Sequence, residues 1–185
     1  KLLGSEFQIS PVSFYQVNPI QTEVLYTKAI EAAGLTGKET VIDAYSGIGT
    51  ISLTMARHAK QVYGVEVVES AVRDAKANAA RNHIKNVTFE VGKAEDVMQK
   101  WKDADLPVDV LMVDPPRKGL DKTFIDAVGY MKPPKMVYIS CNPATLARDL
   151  QLLAAFGYTA KETQPVDMFP QTQHIESITA LTLGS

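Results

Sequence analysis

Cysteine is nearly absent from this chain of 185 residues: Cys141 is the only one, beside one tryptophan and three histidines. A lone thiol excludes an intrachain disulfide, and no Cys/His cluster has metal-ligand spacing, so no metal is expected. No apolar run nears the roughly 20 residues that span a bilayer, and the N-terminus lacks the charged-then-apolar pattern of a secretion signal. No membrane association is expected, and a reducing, cytoplasmic setting fits. A surplus of one charge is lacking too, with 19 Lys and Arg against 21 Asp and Glu, a net charge of −2. A chain that grips nucleic acid by itself usually shows a basic footprint, whereas Arg117, Lys118, Lys122 and Arg148 form no dense run.

What is present is an ordinary globular composition, 45% apolar and 22% charged, long enough for one domain with a sizeable core. Gln21 to Ala33 carries a helical apolar face closed by Gly34. Strands and helices then alternate, with strands near 40–45, 61–66, 87–91, 108–113 and 136–140 and helices near 49–59, 69–82, 94–101, 121–130 and 143–156. Two further strands, near 158–167 and 174–183, follow with no helix between them. The pattern predicts an α/β, Rossmann-like fold: a mostly parallel seven-stranded sheet closed by an antiparallel C-terminal hairpin. Ligands of such sheets bind outside the carboxyl ends of the strands, where Asp43 to Gly49, Glu66, Asp114 and Cys141 all map.

The first of these segments is Asp43-Ala44-Tyr45-Ser46-Gly47-Ile48-Gly49-Thr50. Gly47 and Gly49 allow a tight turn and close approach of backbone to a ligand. A dinucleotide loop would want a third glycine where Ser52 stands, and Asp43 is an unfavourable charge beside a pyrophosphate. S-adenosylmethionine has no phosphate and carries a sulfonium and an ammonium, so an acidic strand end is compatible with it. Glu66, ending Val62-Tyr63-Gly64-Val65-Glu66, can accept from both hydroxyls of a ribose. Tyr45 either packs on a nucleoside or covers the strand end, while Glu69 reads as favourable charge at a helix N-terminus.

In Val113-Asp114-Pro115-Pro116-Arg117-Lys118-Gly119 the two prolines put a strand-end carboxylate on a stiff turn, suited to holding a planar base. Arg117 and Lys118 are either phosphate contacts or solvated surface. Cys141 follows in Ser140-Cys141-Asn142-Pro143, where a strand meets a Pro-started helix. A free cysteine is often a small buried apolar residue; beside a helix N-terminus, whose dipole favours thiolate, it reads as a nucleophile. Its acid–base partner is to be sought in Gln173-His174-Ile175-Glu176-Ser177, where Glu176 and His174 are equal candidates on sequence.

Taken in order, Phe14-Tyr15-Gln16-Val17-Asn18, the Asp43–Thr50 loop, Asp114-Pro115-Pro116-Arg117-Lys118-Gly119, Ser140-Cys141-Asn142-Pro143-Ala144-Thr145-Leu146-Ala147-Arg148-Asp149 and His174-Ile175-Glu176-Ser177 resemble the RNA 5-methyluridine methyltransferases of the RumA/TrmA type. The resemblance covers nearly the whole chain. It implies methylation of uracil C5 in RNA with S-adenosyl-L-methionine, leaving S-adenosyl-L-homocysteine. It implies that Cys141 is the nucleophile, Glu176 the base, and Gln16, Tyr45, Glu66 and Asp114 part of the cofactor and target-base site. Longer members of that family carry an N-terminal RNA-binding β-barrel and a central domain. Residues 1–185, which begin at Lys1, are accordingly expected to be a catalytic domain without them. RNA is the expected partner, 23S ribosomal RNA ahead of tRNA, and a monomer the expected state.

The nearest rival is an RNA 5-methylcytosine methyltransferase, which would want a second cysteine after the Asp-Pro turn, where this chain has Arg117. A non-catalytic nucleoside-binding module and a nicotinamide oxidoreductase are the readings from other classes. Intact Cys141 and Glu176 argue against the first, and Ser52 against the second.

Overall fold

Asn18 and Pro19 start the first helix by two complementary means. The Asn18 side chain accepts from the Gln21 N–H, and Pro19 supplies a helical φ where no N–H is needed. Helix α1 (Pro19–Ala33) then ends at Gly34, whose φ of 64° closes it in the left-handed region. In the computed structural model, which describes residues 1–8, 18–168, 170–172 and 174–184, α1 is followed by a regular alternation. The elements are β1 (Thr40–Asp43), α2 (Thr50–Ala56), β2 (Gln61–Glu66), α3 (Glu69–Arg81), β3 (Val87–Val91), α4 (Ala94–Asp103) and β4 (Val110–Val113). Then come α5 (Lys122–Met131), β5 (Lys135–Ser140), α6 (Pro143–Ala154), β6 (Tyr158–Val166) and β7 (Glu176–Leu183).

The seven strands run in the order β3-β2-β1-β4-β5-β7-β6. Strands β1 to β5 pair in parallel, whereas β7 is antiparallel to both β5 and β6. The expected C-terminal hairpin is therefore present, with its second strand inserted between β5 and its first. Every residue of β1 and β4 is buried, as strands covered on both faces require. β6 is buried only at Tyr158 and Val166, and its exposed length carries Lys161, Glu162, Pro165 and a register shift between Ala160 and Glu162. These features protect a free sheet edge against pairing with another chain.

Two apolar layers sandwich the sheet. On one face Val41, Val62, Met112, Val137, Ile139 and Ile178 pack with Leu25, Ala29, Ile51 and Met55 of α1 and α2. On the other Ile42, Leu111, Val113, Met136 and Tyr138 pack with Met98, Phe124, Val128, Leu146 and Leu153 of α4, α5 and α6. The strand order reverses between β1 and β4, and the carboxyl ends of those two strands flank the crevice where open α/β sheets bind ligands.

Candidate active site

Side chains alternate across a strand, so one parity faces one layer. Val41, Val62, Met112, Val137, Ile139 and Ile178 all belong to the α1/α2 layer. Asp43, Glu66, Asp114, Cys141 and Glu176 stand at the same parity in β1, β2, β4, β5 and β7 or one residue past them. Five chemistry-bearing residues thus occur at one edge of the sheet and on one face. The β5–β7 register brings the last two near each other: Ser140 lies opposite Ser177, with Cys141 the next residue after the first and Glu176 the one before the second.

The turn after β1 is built by backbone and carboxylate together. The Ala44 N–H donates to the Met112 carbonyl (3.0 Å) and the Ser46 N–H to Val65 (2.9 Å), which fixes the loop across β4 and β2. Glu66 accepts from the Gly47 N–H (3.1 Å) through one oxygen and from the Val68 N–H (2.8 Å) through the other. Each oxygen keeps a further lone pair for a ligand hydroxyl. Gly47 has φ 51° and open space where a Cβ would stand. Gly49 has φ 87°, and a Cβ there would come 2.9 Å from Phe89 Cζ, so this glycine serves helix packing. The two glycines therefore do different things. Thr50 opens α2 with its hydroxyl 3.4 Å from that of Tyr26. Tyr45 packs its ring on Phe124 at 5.5 Å, and burial raises its phenol well above the usual range.

Asp43 is fully buried and accepts from the Ser52 hydroxyl at 2.6 Å. Burial pushes its carboxyl up to about 6, against the pull of that hydrogen bond. Its other oxygen, Oδ1, and the Ser46 hydroxyl are buried without a hydrogen-bond partner among the described residues. An orphaned buried acceptor beside a glycine with open space is what a site for a cationic or hydroxyl-bearing ligand presents. The residues fit S-adenosylmethionine.

At the other side of the crevice Asp114 is partly buried, and burial, then Glu176 and Asp43, raise its carboxyl to about 8. Glu176 is buried, which raises its carboxyl, while Arg117 draws it down. Burial, Glu176 and Asp114 raise the half-buried thiol of Cys141 above the ordinary value, with Arg117 again opposing. The thiol is thus held protonated at rest, although Asn142 and Pro143 do begin α6 beside it as the sequence predicts. Among the described residues no group of three or more His, Cys, Asp and Glu could hold a metal ion, and no helix is long and apolar enough to cross a membrane.

Of the sequence-derived candidates, Asp43, Gly47, Gly49, Thr50 and Glu66 are brought together around one turn, and Asp114, Cys141 and Glu176 around a second; Tyr45 borders the first. Gln16 lies outside the described residues. Its motif neighbour Asn18 donates to the Met168 carbonyl (3.2 Å), tying α1 to the connection that leads into β7. His174 is exposed, and its N–H donates to the Thr172 hydroxyl. Four residues have supporting roles that the sequence analysis does not give them: Ser52; Asn78, which is buried and donates to the Ile48 carbonyl at 3.1 Å; Asn142, whose side chain donates to the Arg117 carbonyl at 3.3 Å; and the buried Asp149. Polar residues inside apolar helical stripes were the available signal, and Asn78 and Asp149 both show it.

A doubly wound sheet with a glycine turn after β1, an acid ending β2 and a polar site at the switch point defines a class I methyltransferase fold. Within that class, residues 5–183 match the family described as tRNA (uracil-5-)-methyltransferase, and the chain belongs to this RNA uracil-5-methyltransferase family. It is 61% identical over 180 residues to an uncharacterized RNA methyltransferase of Listeria innocua, covering 97% of this chain and 40% of that protein. It is 62% identical over 182 residues to one of Lactiplantibacillus plantarum, covering 98% and 40%. The chain thus spans about two fifths of the length of these curated relatives. Among solved structures, the Pyrococcus abyssi tRNA (uracil-54, C5)-methyltransferase in complex with S-adenosyl-L-homocysteine superposes with a TM-score of 0.85 at 33% identity, covering 98% of this chain and 43% of that one. Trm5b from the same organism, at 12% identity, TM-score 0.72 and coverage of 98% and 54%, shares the fold alone.

Proposed function

We propose that this chain methylates C5 of uracil in RNA through a covalent bond between Cys141 and C6 of the base. The observation that carries the reading is the convergence of Cys141, Glu176 and Asp114, whose charges bear on one another, at strand ends beside the Asp43–Thr50 turn. When bound, S-adenosylmethionine supplies an electrophilic methyl group, and the solved relative with its demethylated product bound supports that choice. Asp43, Gly47, Gly49, Thr50 and Glu66 would hold it, with Tyr45 and Gln16 bordering the same site.

Uracil C5 is a poor nucleophile, and covalent addition of a side chain is the general remedy. A base inside a stem must first leave its stack to reach a buried thiol. Cys141 gives up its proton to water and its thiolate forms the S–C6 bond, moving the C5–C6 π electrons toward C5 and the C4 oxygen. Asp114, held neutral near pH 7 by its raised pKa, can donate a hydrogen bond to that oxygen. Glu176, whose carboxylate burial makes more basic, takes the C5 proton once C5 is methylated. Electrons from that C–H bond restore the C5–C6 double bond and expel the Cys141 thiolate.

We assign ribosomal RNA, in particular 23S, as the substrate, on the sequence motifs. The solved relative named for uracil-54 of tRNA supports tRNA as the second reading. With a net charge of −2, we assign most of the RNA grip to parts of the whole protein beyond these residues. Nucleoside analysis of ribosomal and transfer RNA from a strain lacking the gene separates the two substrates: 5-methyluridine should vanish from 23S RNA and persist in tRNA.

A further inference from the structure

On the face of the sheet opposite the thiol parity, Asp149 of α6 is fully buried. One of its oxygens, Oδ2, accepts from the Leu120 N–H (2.8 Å) and the Tyr138 hydroxyl (2.7 Å). The other, Oδ1, accepts from Arg148 Nε (2.9 Å) and Nη2 (2.7 Å). The same Arg148 Nη2 donates to the carbonyls of Lys118 (2.9 Å) and Leu120 (3.2 Å). Closer to Cys141, the Asn142 amide (3.3 Å) and the Thr145 hydroxyl (3.2 Å) both donate to the Arg117 carbonyl. Gly119 admits the clamp: with φ 76°, a Cβ there would stand 2.5 Å from Asp149 Oδ2 and 2.8 Å from Arg148 Nη2.

Every one of these loop contacts falls on residues 117–120, and none on the thiol or on Asp114. A buried carboxylate with an adjacent arginine is a costly way to hold a loop that apolar packing could hold. The arrangement makes sense if the register of that loop against the nucleophile turn matters. We propose that Arg148 and Asp149 are positioning residues that lock the Arg117 segment to the start of α6, so that the guanidinium of Arg117 stays with Cys141 and Glu176. Besides burial, the charged side chains that bear on Cys141 are Glu176, Asp114 and Arg117; of these Arg117 alone opposes protonation, together with a backbone hydrogen bond at Cys141 itself. The clamp stands on the hydrogen bonds of the free chain, and the proposal extends the reading of Cys141 as nucleophile without depending on RNA or cofactor.

Because Cys141 is the only thiol, the pH profile of its alkylation by iodoacetamide reports on it alone. Arg148 is half-exposed through its side chain, so Arg148→Ala should fold. Asp149→Ala is the stronger variant, with thermal unfolding as the check on both. The expected result is an upward move of the alkylation midpoint in Arg148→Ala and in Arg117→Ala, of about half a pH unit, or threefold slower reaction at a fixed pH below it. The Arg117→Ala/Arg148→Ala double variant should move no further than Arg117→Ala alone. A midpoint unchanged in the Arg148 and Asp149 variants while thermal stability drops would reduce the pair to packing and overturn the proposal. Additive shifts in the double variant would overturn the route through Arg117. Failure of the uracil-methylation reading would leave these profiles untouched, so the two can fail separately.

Discussion

Cys141 and Glu176 each stand one residue beyond the Ser140–Ser177 rung that ends the β5–β7 ladder, close enough for the Glu176 charge to act on the thiol. The two residues of the proposed nucleophile–base pair come from the two directions of an antiparallel pair, so a one-residue slip of either strand would turn its own side chain to the other face. The insertion of β7 next to β5 is what makes the site two-sided.

Glu176→Gln should leave the addition step intact and remove the group that takes the C5 proton. Turnover should fall by about 10²–10⁴, with methylated RNA accumulating on Cys141. Denaturing electrophoresis of labelled RNA reads this directly. Loss of both turnover and adduct in Glu176→Gln would reassign Glu176 to binding.

Gly47 and Gly49 should respond differently to alanine. At Gly49 the left-handed φ and the 2.9 Å approach to Phe89 act together, and Gly49→Ala should cost about 2–5 kcal/mol of stability. At Gly47 the space is open, so Gly47→Ala should cost only about 1–2 kcal/mol. Its larger effect should appear as weakened S-adenosylmethionine binding in calorimetry, because the added methyl would fill the approach to the turn.

Ser52→Ala removes the hydroxyl that Asp43 accepts at 2.6 Å. A hydrogen bond to a buried carboxyl is worth about 1.5–3 kcal/mol, and stability should fall by that order near neutral pH. The loss should shrink at pH 5, below about 6, where Asp43 is protonated. Urea midpoints at the two pH values test it.

Asp114 gives a pH dependence of defined sign. An acid whose folded-state pKa is raised binds its proton more tightly folded than unfolded, so its ionisation opposes folding. The contribution is most favourable below 3.8 and is lost progressively as pH rises to about 8. Asp43 adds a loss of the same sign, complete by about 6. Asp114→Asn should therefore gain stability over the parent protein at pH 9 relative to pH 5. A constant difference across that range would place Asp114 in a solvated, unperturbed setting.

Much of this site is legible in the sequence because strand ends and period-two alternation are. Once β1, β2, β4 and β5 are located, Asp43, Glu66, Asp114 and Cys141 fall at one edge, and their shared parity with Val41, Gly64, Met112 and Ile139 follows from counting. The insertion of β7 between β5 and β6 does not follow, since two consecutive strands can pair with the sheet through either member. The balance acting on the thiol is not legible either: the helix start beside Cys141, which favours thiolate, is local, whereas burial and the approach of Glu176 and Asp114, which oppose it, are tertiary. Ser52 shows a third kind of gap. In the sequence it is a missing glycine; in the structure it is the partner of Asp43. Strand β1 also stops at Asp43, two residues short of the apolar run, because Ala44 and Tyr45 turn to meet β4 and Phe124.

The central claim is a bond between Cys141 and uracil C6 during methylation at C5. Fluorine at C5 cannot leave as a proton, so the most direct measurement is denaturing mass spectrometry of the protein after incubation with S-adenosylmethionine and 5-fluorouridine RNA. Uridine RNA and 5-fluorocytidine RNA are run in parallel. The account predicts a methylated RNA adduct mapped to Cys141 with 5-fluorouridine only, and 5-methyluridine from the uridine RNA. Production of 5-methyluridine with no adduct on Cys141, or an adduct formed with 5-fluorocytidine instead, would contradict it.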